Sequence, residues 1–487
     1  MAAPLPKPSS IPLPTDPQQE QSLRILLWLV AVGFFMQTLD ATIVNTALPS
    51  MARSLGESPL RMQSVVVAYS LTMAMLIPAS GWMADRFGTR RVYVGAIALF
   101  VAGSVLCAAA PSLTMLVAAG VVQGAGGALL LPVGRLVVLR TFPRERFLQA
   151  MSFVAIPGLV GPLIGPTLGG WLVEAVSWHW IFLINVPVGV VGALATLRFM
   201  PGQPAAAVPR FDLAGYVMLA LGMVAISLAL DGLSGLGLRQ ASVLVLMIFG
   251  LASLTAYWLH AVRRPDALFS PKLFEVGSLR IGLLGNLFSR LGSACMPFLI
   301  PLLLQVTMGY SPAQAGMMML PVAIASMSMK RITTPLITRY GYRRVLVVNT
   351  GLVGLTMASF AFASPDQPLV VRLLQLAVFG AVNSMQFTAM NTLTLKDLGP
   401  ATASSGNSLL SMVQMLAMGM GVAAAGAVLA AFTAFFGGEG QQTLQAFNAT
   451  FACMGLITLA SAGIFWQLSP DDSAPAARAE ADVTEAG

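Results

Sequence analysis

The sequence predicts an all-α polytopic membrane protein of about fourteen transmembrane helices, and three observations carry that expectation. Of its 487 residues, 56% are hydrophobic and only 9% charged. Apolar runs of about 20 residues, the length a helix needs to cross a bilayer, recur along the whole chain. The third observation is an internal repeat. Ser22-Leu23-Arg24-Ile25 returns as Ser278-Leu279-Arg280-Ile281, Gly56 to Pro59 resembles Gly309 to Pro312, and Arg86-Phe87-Gly88-Thr89-Arg90-Arg91-Val92 returns as Arg339-Tyr340-Gly341-Tyr342-Arg343-Arg344-Val345. The near-constant offset between copies implies two pseudo-symmetric six-helix halves with a further helix pair between them. Facing halves around a midplane site are a transporter architecture; a channel would need a pore loop or a repeated charged ring, which the sequence lacks.

Residues 1–22 are rich in Pro, Ser and Gln and read as a disordered tail, not a cleavable signal, which needs a basic start and a short apolar core. Spans are expected at 25–48, 62–83, 92–110, 113–139, 149–173 and 179–199, which form the first half, 23–200. The inserted pair, 213–231 and 241–262, belongs with its loops to 201–275. The second half, 276–468, holds 280–305, 311–335, 344–363, 367–391, 402–433 and 444–467, before a second polar tail at 469–487. Basic residues such as Arg90, Arg91, Arg210, Lys330, Arg343 and Arg344 collect in alternate loops. The positive-inside rule then puts both termini in the cytoplasm.

That placement assigns the net charge of +8 to topology and not to a nucleic-acid surface. Cys107, Cys295 and Cys453 lie far apart in apolar runs, so neither a disulfide framework nor a metal site is expected. The phosphate-binding, zinc-protease and hydrolase signatures are missing from the sequence. Neither an enzyme nor a cofactor is expected.

Within the span at 149–173, Pro157, Pro162 and Pro166 stand among Gly158, Gly161, Gly165, Gly169 and Gly170. Proline and glycine weaken a helix, but glycines three and four residues apart make a smooth strip for a neighbouring backbone. A bent helix follows, serving as a glycine zipper or as the pivot of a moving protein. Asp40 stands about fifteen residues into the first span, roughly 22 Å along it. Burying a carboxylate there costs on the order of 3 kcal/mol, which makes Asp40 the best proton-carrier candidate; the other reading is an interfacial Asp capped by Thr42 or Asn45. Arg290, about 15 Å into its span, must meet a substrate anion, an ion-pair partner such as Asp40, or the interface by snorkelling. Arg135 reads as an anchor, and Arg372 as an end residue that can snorkel. Asn286, Asn383 and Gln386 add hydrogen-bonding groups, read as helix–helix glue or as part of the substrate cavity, and the 28 methionines supply an adaptable lining that also suits ordinary packing.

These residues resemble the major facilitator superfamily, and within it the fourteen-helix drug:proton antiporters of the EmrB/QacA type, from about residue 23 to 467. Gly81-Trp82-Met83-Ala84-Asp85-Arg86-Phe87-Gly88-Thr89-Arg90-Arg91 is similar to the superfamily's loop between helices 2 and 3. The resemblance implies that Gly81, Asp85, Arg86, Gly88, Arg90 and Arg91 form a cytoplasmic gate. Leu39-Asp40-Ala41-Thr42-Ile43-Val44-Asn45-Thr46-Ala47-Leu48-Pro49 looks like the helix 1 motif, implying proton coupling at Asp40. Gly161-Pro162 and Gly169-Gly170 resemble the antiporter motif of helix 5, which implies exchange. Trp178-His179-Trp180-Ile181-Phe182-Leu183-Ile184-Asn185-Val186-Pro187-Val188-Gly189 fits the same branch, with His179 where the family more often has arginine. The helix 4 motif R-x-x-Q-G is broken: Gly120 stands in the arginine's place before Val121-Val122-Gln123-Gly124, whereas the second half keeps Arg372-Leu373-Leu374-Gln375. Either Arg372 or Arg290 supplies the missing charge, or coupling at Asp40 is altered or lost.

The expected function is secondary active transport in the bacterial inner membrane: proton-coupled antiport that exports small amphipathic molecules or drugs by alternating access. Its partners are a small-molecule substrate, protons and the lipid bilayer, without nucleic acid; a periplasmic accessory partner is left open. Two alternatives stand beside it. One is export of an organic anion or metal chelate, such as citrate, through Arg290. The other is a non-transporting membrane sensor or assembly partner.

Overall fold

The computed structural model describes residues 17–142, 144–202, 211–232, 240–264, 267–399, 402–437 and 441–468. Most of both expected tails and Arg210 lie outside them, and so does the side chain of Lys330. In the first half, α1 covers Pro17–Leu55, α2 Gln63–Phe87, α3 Thr89–Ala108, α4 Leu113–Thr141 and α5 Arg144–Ala175. The short α6 (Trp180–Leu183) leads into α7 (Asn185–Phe199). The inserted pair is α8 (Leu213–Gly232) and α9 (Gln240–Arg263). The second half comprises α10 (Gly277–Ser293), α11 (Met296–Val306), α12 (Pro312–Met317), α13 (Leu320–Ser359), α14 (Leu369–Leu395), α15 (Ala403–Phe436), α16 (Gln441–Ala460) and α17 (Ala462–Trp466). No strand occurs among the described residues.

Twelve helices are long and apolar enough to cross a membrane among the described residues. α13 is two limbs, because Gly341 (φ 76°, ψ 160°) leaves the helical region, as Gly88 (φ 86°) does between α2 and α3. Only glycine adopts such a φ without strain. Adding α5 and the extra limb of α13 to the twelve gives the fourteen expected from the sequence. α1 starts at Pro17, inside the stretch read as a tail. Proline suits a first helical turn, and the Gln/Glu run behind it favours helix.

The bundle has a terminal face, where α1 begins and α17 ends, and an opposite, distal face. At the distal face both halves share one buried core, which joins Ala47, Met51 and Met62 to Phe298, Leu302 and Phe451. Towards the terminal face each half also holds a core of its own, one around Val30, Tyr93 and Val133 and another around Ile337, Leu346 and Leu393, while a third, around Ala74, Leu219, Leu279 and Leu409, joins the halves through α2, α8, α10 and α15. α2 continues along α15 between them.

Small residues allow the distal seal. A Cβ on Gly161, Gly165 or Gly169 of α5 would meet α1 atoms of Thr38, Thr42 or Ile43 at 2.4, 2.2 and 2.7 Å. One on Gly170 would lie 2.1 Å from the Pro312 carbonyl oxygen, and one on Gly316 2.2 Å from that of Pro166. Thr167 Oγ1 donates to the Gly316 carbonyl at 3.2 Å. The Glu174 carboxylate accepts from Ser311 Oγ at 2.7 Å and from the Ala313 N–H at 3.2 Å. Gln305 Nε2 donates to the Thr46 carbonyl at 2.9 Å. The first half therefore grips α12 through backbone contact that a side chain would prevent.

The inserted pair packs through α8 on α2 and α15. Its entry is fixed by Asp212, whose carboxylate caps α8 through the Gly215 N–H at 3.0 Å and also accepts from the Leu268 N–H and His260 Nε2 at 3.3 and 2.8 Å. Burial pushes this carboxyl up, but the Gly215, His260 and Leu268 partners outweigh it and hold it below its ordinary value of 3.8.

Two outcomes are expected from thermal unfolding in detergent. Gly170→Leu should destabilise by about 1–3 kcal/mol, because the Pro312 backbone leaves no room. Asp212→Ala should cost about 1 kcal/mol at neutral pH. Because the folded value lies below the unfolded one, the wild-type advantage is complete above the ordinary carboxylate range and disappears as acid takes the pH down through the folded value. Equal melting temperatures for Asp212→Ala and wild type at pH 7 would remove the cap from this account.

Candidate transport site

Asp40 lies on the face of α1 turned towards α3, α4 and α7, and is 2% exposed. Its Oδ1 accepts from Gln123 Nε2 and from Asn185 Nδ2, both at 2.8 Å. The same two amides donate to Ser104 Oγ at 3.0 and 3.3 Å. Tyr69 stands close enough to interact with the carboxylate, though its buried hydroxyl makes no hydrogen bond of its own. The Thr42 hydroxyl bonds to α1 carbonyls, so the interfacial, self-capped reading of Asp40 does not hold. Nor does the ion pair with Arg290: among the described residues Asp40 has no salt bridge. The donors to Asp40 are thus two neutral amides, and Gly120 stands three residues before one of them.

The opposite face of α1 lines a cavity of about 260 Å³ between the halves, with Thr38, Thr42 and Asn45 on its wall beside Pro162 of α5. Across it stand Arg290, Asn383 and Phe387, with Met390, Met415 and Met418. Arg290 occupies the last turn of α10, where the helix dipole favours a cation. The span breaks just beyond it, between Ser293 and Met296, with Pro297 opening α11. Broken helices next to a cavity are a recurrent way to build a transporter site. Arg290 Nε donates to Asn286 Oδ1 at 3.2 Å, the guanidinium lies 4.4 Å from the Phe387 ring centroid, and Nη2 has no hydrogen-bond partner. Among the described residues that line the cavity, Arg290 is the only charged one.

Other expected site residues are placed differently. Asn286 does not line the cavity; it is buried behind Arg290 and accepts from it. Gln386 is buried inside the second half, accepting from Asn349 Nδ2 at 2.8 Å and donating to Thr350 Oγ1 at 2.7 Å. Its amide meets three-dimensional neighbours that its position in the span did not reveal. Arg372 does not snorkel and does not approach Asp40. It is 5% exposed, donating to the Tyr310 hydroxyl and to the Ser364 carbonyl, the latter at 2.9 Å. Arg135 is half-buried beside the first half's core, 5.9 Å from the Phe34 ring centroid.

In the loop expected to gate, Asp85 pairs with Arg140 of α4, and Arg90 donates to the Leu197 carbonyl at the end of α7. Both contacts stay within the first half: Asp85 finds its charge partner on α4, and Arg90 reaches the end of α7.

Gln123 and Asn185 were not singled out by sequence reasoning, although each stands in a motif noted there. The available signal was two amides buried in apolar spans. The Gln123–Ser104 contact recurs in the second half as Gln375 Nε2 donating to Ser359 Oγ at 2.8 Å, which marks it as part of the repeat.

The Major Facilitator Superfamily model matches residues 30–422. The chain is 50% identical over 458 residues to a Serratia proteamaculans protein named "Putative multidrug resistance protein MdtD", covering 92% of this chain and 94% of that one. It is also 50% identical over 455 residues to the protein of the same name from Yersinia enterocolitica, covering 92% and 96%. In fold it is similar to a crystal structure of the peptide transporter POT in complex with sulfate (TM-score 0.68, 16% identity, 93% of this chain and 95% of that one). A D-xylose-proton symporter gives a TM-score of 0.65 at 14% identity, covering 92% and 98%.

If the amides hold Asp40, Asn185→Leu should cost about 1–3 kcal/mol by leaving a buried acceptor short of a donor. In an Asp40→Leu background the cost should shrink, with a coupling of about 0.5–3 kcal/mol in the double-mutant cycle. Strictly additive losses on thermal unfolding would contradict the contact.

Proposed function

The chain belongs to the major facilitator superfamily, and on that premise we propose that it is a proton-coupled antiporter exporting small amphipathic molecules by alternating access. The observation that carries this reading is that one helix bears both elements. On one side of α1 Asp40 is held by Gln123 and Asn185; on the other, Thr38 and Thr42 line the cavity. A carboxylate makes charge-assisted hydrogen bonds, stronger than those of the neutral acid. Protonation of Asp40 would loosen α1 from α4 and α7 and let it slide over the glycine strip of α5. A change of charge on one face of α1 thus becomes movement of the cavity wall on the other, with α5 as the pivot. The terminal face is read as cytoplasmic, and the conformation as inward-facing, in keeping with a distal core shared by both halves and a terminal core within each half. Closing that face is where the Gly81–Arg91 loop would act, exchanging the Asp85–Arg140 pair for contacts across the halves.

A second reading concerns substrate charge. A multidrug exporter of cations wants acid in its cavity, whereas here the charged lining residue is Arg290, with Nη2 unbonded. An amphipathic anion, such as an organic carboxylate or its metal chelate, fits that guanidinium best, with Phe387 and the methionines receiving the apolar part. The sensor or assembly alternative has no comparable support.

Both readings are tested in liposomes loaded with a pH-sensitive dye and challenged with lipophilic cations or with organic anions such as citrate. Asp40→Asn should abolish substrate-triggered proton movement for every substrate. For anions, Arg290→Ala should raise the half-saturating concentration roughly ten- to a hundredfold, the value of one charged hydrogen bond. Cation-driven flux untouched by Arg290→Ala, with anions silent, would refute the anion reading and leave the antiporter. Coupled flux surviving Asp40→Asn would overturn the role of Asp40.

A further inference from the structure

A second concavity, of about 600 Å³, opens on the flank of the second half near the terminal face. Leu336 of the first α13 limb, with Val345 and Val348 of the second, forms its apolar part; Arg343, Arg344 and Trp466 of α17 form its rim. Arg343 lies 5.6 Å from the Trp466 ring centroid. Trp466 is 65% exposed and Val348 62% exposed, so in a membrane-spanning bundle this wall faces lipid. Arg343 and Arg344 follow the Gly341 turn after Tyr342, and Val348 lies about one helical turn, roughly 6 Å, farther along the limb. Charge at the end of a span, a tryptophan beside it and an apolar channel running inward give the profile of an interfacial lipid site.

The repeat shows why the charge is available. In the first half, Asp85 of the corresponding loop pairs with Arg140 of α4, and Arg90, the counterpart of Arg343, is taken up by the Leu197 carbonyl. At the equivalent place in Arg339-Tyr340-Gly341-Tyr342-Arg343-Arg344 the second half has Thr338. Among the described residues neither Arg343 nor Arg344 has an ion pair. Two arginines without an ion pair at the rim of an apolar channel complement an anion that carries a hydrocarbon chain.

We propose that this crevice binds an anionic glycerophospholipid of the leaflet at the terminal face, its phosphate on Arg343 and Arg344 and one acyl chain along Leu336 and Val348. The assignment is independent of proton coupling and of the Arg290 cavity.

The test is native mass spectrometry of the purified, delipidated full-length protein titrated with dioleoylphosphatidylglycerol or dioleoylphosphatidylcholine, each variant first checked for a wild-type-like melting temperature. Wild type should retain the glycerol lipid in preference to the choline lipid. Arg343→Gln with Arg344→Gln should weaken that adduct by about tenfold or more, while Arg264→Gln, another exposed arginine of this face, leaves it unchanged. Val348→Trp, which fills the channel and keeps both charges, should weaken it too. Equal retention of the two lipids, an adduct that survives the double substitution, or one equally sensitive to Arg264→Gln would overturn the site. So would indifference to Val348→Trp, which reduces the contact to surface charge. Adducts seen only after residues 469–487 are removed would give the crevice to the chain's own acidic tail instead.

Discussion

A carboxylate buried among apolar helices must either find donors or give up its charge, and much of this structure is arranged around Asp40. Gln123 and Asn185 answer the requirement with two amide hydrogen bonds, and in doing so they tie α1 to α4 and α7. The bonds fix the rotation of α1 as well as its place. Because Asp40 faces those helices, Thr38, Thr42 and Asn45 must face the cavity, and the backbone beside Thr38 and Thr42 must meet the glycines of α5. Satisfying one buried charge therefore sets the lining of the cavity and the seam between α1 and α5.

The two halves repeat one fold and diverge in their charges. The Gln–Ser contact is kept in both, as Gln123–Ser104 and Gln375–Ser359. The buried acid belongs to the first half, and the cavity arginine to the second. The arginine preceding the glutamine survives as Arg372, where carbonyls and a tyrosine hydroxyl satisfy it, and has become Gly120 in the first half. A cation-bearing second half facing a first half with its acid turned away leaves a cavity of positive character. The same divergence, Asp85 against Thr338, separates the two loops at the terminal face.

Backbone proximity decides where the halves meet. At the distal face Gly170 and Gly316 bring α5 and α12 within reach of each other's carbonyls, and the hydrophobic core runs through both halves without interruption. Towards the terminal face Tyr93 and Val133 pack within the first half and Leu346 and Leu393 within the second, and the halves stay joined through α2, α8, α10 and α15. The small-residue seam of α5 and α12 lies at the distal end, while the join along α2 and α15 continues towards the terminal face.

Fold class was legible in the sequence because a bilayer imposes length and apolarity on every span, and because the repeat of Arg86–Val92 as Arg339–Val345 exposes the halves directly. The buried charges were legible too, since a charge inside an apolar run is conspicuous. Their partners were not. Helical periodicity says that Asp40 and Thr42 occupy different faces of α1, but not which helix lies against either. Hence the spans give no sign that Gln123 and Asn185 reach Asp40, that Gln386 bonds Asn349 and Thr350 inside the second half, or that the rotation of α1 turns Asp40 away from Arg290. Composition and spacing along one chain determined the spans, the symmetry and the list of buried charges. Only tertiary packing, which fixes how each helix is turned towards its neighbours, decided what each charge touches.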